Sequence, residues 1–216
     1  MYKISIIGID NTGKTAVVNR IEDEYRLETI QLTSFKKCSS KLAKELGSLI
    51  EKWIRWSEYK QYQYCTGLLY FLLLIPYKIE LWSKRKSSFI LSDRDPIIDT
   101  LCYSHLYLPD KIARYLCQYF EFFLKRIFHY SDLYIYLVPS PKISVQRMKN
   151  SMQLHENLDD LSKLEQCYQF QLKELKSENI EVICIHIDSL TLNQLVAQIK
   201  TVILKRINRV GYSNIK

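Results

Sequence analysis

The sequence predicts an α/β fold, a five-stranded parallel sheet flanked by helices, and three observations carry that expectation. Short apolar runs rich in β-formers alternate with longer helical patterns along the chain, the order that stacked βα units leave in a sequence. The runs are continuous in Ile, Val, Leu and Tyr, as strands covered on both faces are. The first run leads through a glycine-containing loop into an amphipathic helical pattern. With 216 residues, 47% of them hydrophobic, the chain is expected to form a single domain, 1–216, with a sizeable core.

Taken in order, strands are expected at residues 2–9, 28–32, 88–92, 133–138 and 180–187, where the apolar runs lie. Helical periodicity falls between them at 14–25, 40–59, 62–84, 97–129 with a break near Pro109, 143–150, 158–177 and 191–208. No internal repeat, low-complexity tract or Pro/Gly-rich linker interrupts this order. Only five glycines occur, and two of them sit in the loop at 8–15.

The formal charge of +8 suits a protein that handles polyanions; nucleotides, nucleic acids and anionic membrane surfaces all fit it. The six cysteines are scattered, with no C-x-x-C pair and no His at ligand spacing, so neither a zinc site nor a disulfide framework is indicated. They read as reduced thiols in a cytoplasmic protein. The apolar run from Ile4 ends at Asp10, too soon for a signal peptide. The apolar stretch 67–75 falls short of the roughly 20 residues that span a bilayer, so no transmembrane segment is expected. A buried helix is the reading preferred there over a membrane-surface or partner-binding helix.

Gly8-Ile9-Asp10-Asn11-Thr12-Gly13-Lys14-Thr15 matches G-x-x-x-x-G-K-[ST] at every fixed position, after a strand and at the start of a helix. Gly8 and Gly13 allow backbone conformations and close approaches that a Cβ would obstruct, so that successive N–H groups can face phosphate oxygens. The helix that starts there adds its positive end. Lys14 can bridge the β- and γ-phosphates, and the Thr15 hydroxyl is placed to ligate Mg²⁺. The loop therefore predicts a bound nucleoside triphosphate with Mg²⁺.

The third strand runs into Ser92-Asp93-Arg94-Asp95-Pro96, which puts Asp93 and Arg94 at the carboxyl edge of the sheet, the edge that carries the phosphate loop. There an aspartate can hold a metal-bound water or orient an attacking oxygen, and an arginine can neutralise charge on a transferring phosphoryl group. The plainer alternative is a surface ion pair capping the next helix. Asp99, one turn beyond Asp95, reads as a solvated or capping carboxylate.

With these residues in view, the chain resembles the thymidylate kinase family of nucleoside monophosphate kinases. The loop with Asp10 resembles that family's G-x-D-x-x-G-K-[ST]. Asp93-Arg94 with Asp99-Thr100-Leu101-Cys102-Tyr103 resembles its D-R-Y and D-S-x-A-Y segments. Ser131 to Leu137 with Pro141 and Arg147 resembles its fourth strand and P-E-x-A-x-x-R helix. The resemblance implies a P-loop, nucleoside monophosphate kinase-like fold with a lid at about 148–160, and a homodimer. It implies transfer of the γ-phosphoryl group of ATP to a nucleoside monophosphate or related small-molecule acceptor. Asp10, Lys14, Asp93, Arg94 and Arg147 would be catalytic; Gly8, Asn11, Thr12, Gly13, Lys14 and Thr15 would bind the nucleotide; Thr15 and Asp93 would hold the metal.

The departures from that pattern fall on the acceptor side and in the lid. Asn11 and Thr12 stand where some members have a loop arginine, and the lid after Arg147 offers only Lys149. Thr33-Ser34-Phe35 replaces the family's Arg-Glu-Pro-Gly, the stretch 68–75 is apolar where the family places an arginine, and Tyr103-Ser104 replaces Tyr-Gln. A nucleotide-binding switch or accessory protein is the alternative function, and a nucleic-acid partner is not expected. The aromatic group Trp53, Trp56, Tyr59, Tyr62, Tyr64, Tyr70 and Phe71 is expected to pack in the core, with stacking on a planar acceptor as the alternative. His155-Glu156 and Asp159-Asp160 read as solvated polar residues and a helix start, and Lys36-Lys37 and Lys84-Arg85-Lys86 as solvated basic clusters.

Overall fold

The computed structural model describes residues 1–25, 29–31, 35, 38–108, 115, 119, 123–124, 126–139 and 158–209. Five strands, β1 (Tyr2–Ile7), β2 (Thr29–Gln31), β3 (Phe89–Asp93), β4 (Leu133–Val138) and β5 (Glu181–His186), form one sheet in the order β2-β3-β1-β4-β5. Every pairing is parallel. Strand β1 lies in the middle, with Ile6 opposite Asp93 of β3 and Ile7 opposite Tyr136 of β4.

Helices cover both faces because each strand alternates its side chains between two cores. One core joins Ile4, Ile6, Leu91, Leu133, Ile135 and Leu137 to α1 (Lys14–Tyr25) and to α7 (Leu192–Arg209). The other joins Ile7, Ile90, Tyr134 and Tyr136 to α2 (Lys41–Tyr59), α3 (Gln63–Leu72), α4 (Leu74–Ser83), α5 (Pro96–Tyr107) and α6 (Leu158–Ser177). This is the five-stranded, doubly covered sheet that the apolar runs predict.

Several boundaries differ from the sequence-based expectation. Strand β1 stops at Ile7, two residues early, because Gly8 has φ 143° and turns the chain into the loop. The helix expected at 62–84 is two helices broken at Leu73. Pro76 has no N–H to give the Leu72 carbonyl, which ends the first ladder. By length and composition the stretch Gln63–Ser83 could cross a membrane, yet half of its apolar window is buried inside the protein. The helix after Pro96 ends at Tyr107; beyond it Tyr115, Tyr119, Phe123, Leu124 and residues 126–128 are helical, and the rest of that predicted span lies outside the described residues. The helix expected at 143–150 lies outside them as well.

The aromatic group does not pack as expected. Tyr70 is buried, but Trp53, Trp56, Tyr59, Tyr62 and Tyr64 are each about half or more exposed. Helix α2 turns Ala43, Gly47, Ile50, Ile54 and Ser57 inward, and that spacing leaves Leu49, Trp53 and Trp56 on a flank open to solvent. With Cys65 and Leu69 of α3, the two tryptophans line an open cavity of about 440 Å³. The basic cluster also divides: Lys84 is buried and donates to the Thr29 carbonyl at 2.5 Å, which ties α4 to β2, while Arg85 lies over the Trp82 ring. The described cysteines are all free thiols.

Candidate active site

The loop between β1 and α1 is shaped by two glycines and an asparagine. Gly8 (φ 143°) passes so close to β4 that a Cβ would stand 2.8 Å from the Leu137 carbonyl oxygen, and Gly13 (φ 87°) makes the turn into α1. Asn11, with φ 62°, takes the left-handed conformation that asparagine tolerates better than most residues. The Thr12 hydroxyl donates to the Ile9 carbonyl at 3.0 Å, closing the loop on itself. The Lys14 ammonium folds over it, donating to the carbonyls of Gly8 at 2.7 Å and Ile9 at 2.5 Å. Burial, reinforced by the positive charge of Arg94, pushes the Lys14 pKa down to about 8 against the pull of Asp10, Asp93 and Asp99.

Pairing of β1 with β3 brings Asp93 to the mouth of this loop. Asp93 Oδ2 accepts from the Thr15 hydroxyl at 2.6 Å, whereas Asp93 Oδ1 is buried without a hydrogen-bond partner among the described residues. Buried carboxylate oxygens ordinarily have partners, so an orphan calls for a cation or an ordered water. Asp93 Oδ1 beside the Thr15 hydroxyl is the oxygen donor set that Mg²⁺ takes when polyphosphate and water supply its other ligands. The residues present fit such an ion. Among the described residues no group of three or more His, Cys, Asp or Glu forms a metal cage.

At Arg94 the chain enters the left-handed region, φ 75°, and its N–H donates to the Ile6 carbonyl at 2.9 Å. This turn aims the guanidinium at the loop. Arg94 donates to Asp10 Oδ1 through one terminal nitrogen, and through the other to Asp99 Oδ1 at 3.2 Å and the Tyr103 hydroxyl at 2.7 Å. Tyr103 in turn donates to Asp10 Oδ2 at 2.6 Å. Burial alone would favour neutral Arg94, but Tyr103, Asp10 and Asp99 outweigh it and hold the pKa well above the usual range. Burial raises the Tyr103 pKa strongly, so this hydroxyl is a donor at neutral pH.

Asp99 departs from the solvated reading. It is 1% exposed, and it accepts from Arg94, from the Asp95 N–H at 2.6 Å and from the Tyr168 hydroxyl of α6 at 2.5 Å. The capping role belongs to Asp95, whose Oδ1 accepts from the Ile97 and Ile98 N–H groups in the first turn of α5. Asp95 Oδ2 accepts from Lys3 Nζ at 3.1 Å and from the hydroxyls of Ser5 and Ser131.

Asp10, Lys14, Thr15, Asp93 and Arg94 thus meet in one crevice, together with Gly8, Asn11, Thr12 and Gly13 of the loop. Arg147, Lys149, His155-Glu156 and the 148–157 part of the expected lid lie outside the described residues, whereas Asp159 and Asp160 open α6. Sequence reasoning did not assign Tyr168 or Lys3 to this region. Tyr168 has only the signal of an apolar position on an amphipathic helix, and Lys3 only that of a charge inside an apolar strand.

No family model and no curated protein matches this sequence. Solved structures do. Deoxyadenosine kinase from M. mycoides superposes with TM-score 0.64 at 18% identity, over 94% of this chain and 99% of that one. Thymidylate kinase from Candida albicans superposes with TM-score 0.64 at 16% identity, over 96% of this chain and 92% of that one. The fold is therefore that of the P-loop nucleoside and nucleotide kinases.

Proposed function

We propose that the chain is an ATP-dependent phosphotransferase that moves the γ-phosphoryl group of ATP to a nucleoside monophosphate or related small acceptor. The observation that carries this reading is the meeting of the loop lysine, the Thr15–Asp93 pair and the Asp10–Arg94 pair in one crevice at the carboxyl edge of the sheet. The two solved neighbours, both kinases by name, support it.

In this reading the backbone of Gly8, Asn11, Thr12 and Gly13 cradles the donor phosphates, and Lys14 exchanges its loop carbonyls for phosphate oxygens. Thr15 and Asp93 would hold Mg²⁺, which neutralises phosphate charge when bound. Asp10 and Arg94 face the acceptor, and Arg147 would approach the donor from the lid side. Positioning and electrostatics dominate such transfers, so each residue acts mainly by where it holds its charge.

The experiment is turnover of ATP and Mg²⁺ with a panel of small acceptors, using Lys14→Ala as control. Removing one charged donor from a phosphoryl site is expected to lower kcat/KM by about 100-fold or more. A folded Lys14→Ala protein with undiminished turnover would refute the assignment. The second reading, an accessory nucleotide-binding protein, draws on the scarcity of acceptor-side and loop arginines. ATP that raises the melting temperature and is turned over with no acceptor would favour it.

A further inference from the structure

Among the described residues, the acceptor side of the crevice is built from carboxylates and tyrosines around one guanidinium. Arg94 is shared between Asp10 and Asp99, one positive charge against two negative ones, all largely buried. The wall beside them is aromatic. Tyr70 of α3 stacks on Tyr103 at 4.7 Å and on Tyr107 at 5.8 Å, and both Tyr70 and Tyr107 donate to Glu58 of α2. No Lys or Arg occurs at residues 61–77 or 95–110, the stretches that contain α3 and α5.

A phosphomonoester acceptor brings close to two negative charges and calls for clamping cations, bidentate arginine above all. A nucleoside brings none. Its hydroxyl and amino hydrogens need acceptor oxygens, and carboxylates supply them. The excess of carboxylates over cations among the described residues therefore works against the first ligand and suits the second.

We infer that the acceptor is an uncharged nucleoside, phosphorylated on a sugar hydroxyl. This inference rests on the kinase reading above and narrows its acceptor. In the transfer the nucleoside O–H bond breaks and its proton passes to a water molecule beside it. The hydroxyl oxygen forms a bond to the γ-phosphorus, and the bond from that phosphorus to the β–γ bridging oxygen breaks, its electron pair leaving with ADP. The proton is then released to solvent, so a nucleoside and ATP yield a nucleoside monophosphate, ADP and a proton.

The experiment compares matched pairs, each common ribo- and deoxyribonucleoside against its own 5′-monophosphate, with the full-length protein, ATP and Mg²⁺. Products are resolved by anion-exchange chromatography and ATP binding is measured separately. Expected is conversion of at least one nucleoside to its monophosphate with kcat/KM at least 10-fold above that of its monophosphate partner. Conversion of monophosphates to diphosphates with equal or higher kcat/KM would overturn the inference and leave the kinase reading standing. Binding of ATP with product from neither member of any pair would overturn both.

Discussion

Replacing Asp95 with alanine is expected to destabilise the fold strongly. Asp95 is fully buried, and its partner Lys3 is 4% exposed on the central strand. Burial works against the Lys3 charge, but Asp95 outweighs it and raises the lysine pKa, so the pair is ionic at neutral pH. The alanine strands the ammonium, unpairs two N–H groups at the start of α5 and leaves Ser5 and Ser131 to bond to each other. Breaking a buried ion pair from one side costs about 3–5 kcal/mol, and the lost cap adds about 1 kcal/mol. A loss near 5 kcal/mol is a large part of a typical total stability, and for this size of chain it lowers Tm by roughly 15 °C. Urea titration of Asp95→Ala, Lys3→Met and the double variant gives the coupling. The double variant should recover about 2 kcal/mol or more relative to Asp95→Ala, since no unpaired charge remains. A cost within about 1 kcal/mol for Asp95→Ala, or strictly additive single effects, would refute the argument.

Lys14 should take up a proton when ATP binds. Its folded pKa of about 8 lies below the 10.5 of a free lysine. Between those values the unfolded chain holds more protons, so the nucleotide-free protein should gain stability as pH rises from about 8 toward 10.5. At a pH half a unit above its pKa Lys14 is largely neutral, and a polyphosphate that recharges it draws in roughly three quarters of a proton. Calorimetric binding heats that do not vary with the ionisation enthalpy of the buffer would exclude this. The open apolar cavity lined by Trp53, Trp56, Cys65 and Leu69, with both tryptophans about half exposed, is expected to be covered by a second copy of the chain. Sedimentation should find a dimer that Trp53→Glu converts to monomer; a wild-type monomer at the highest soluble concentration removes the expectation.

The parts of the fold legible in the sequence were those set by local rules. Continuous apolar runs mark the five parallel strands, and the spacing of Gly8, Gly13, Lys14 and Thr15 marks the loop. Placing Asp93 and Arg94 at the same edge also needed only the end of an apolar run and the polarity of a parallel sheet. What the sequence hid was set by packing between distant segments. Nothing local to Lys3 says that residue 95 will neutralise it, and nothing local to Trp53 says which flank of α2 its neighbours will leave uncovered. Asp99 shows both limits: its position promised a solvated or capping carboxylate, and it does accept the Asp95 N–H at the helix start, but it is buried and its other partners, Arg94 and Tyr168, come from β3's end and from α6.

That arrangement has a mechanical consequence for the site. Tyr168 holds Asp99, Asp99 and Tyr103 hold Arg94, and Arg94 holds Asp10, so a continuous chain of hydrogen bonds runs from α6 to the phosphate loop. Because α6 follows the segment expected to form the lid, any displacement of α6 acts on Asp99 before it reaches Arg94. The guanidinium is held on three sides by Asp10, Asp99 and Tyr103 and is only 8% exposed, which lowers the reorganisation needed when charge develops nearby. The same fixation limits what the arginine can clamp, and it is this limit, more than the composition of the loop, that favours an acceptor carrying no charge of its own.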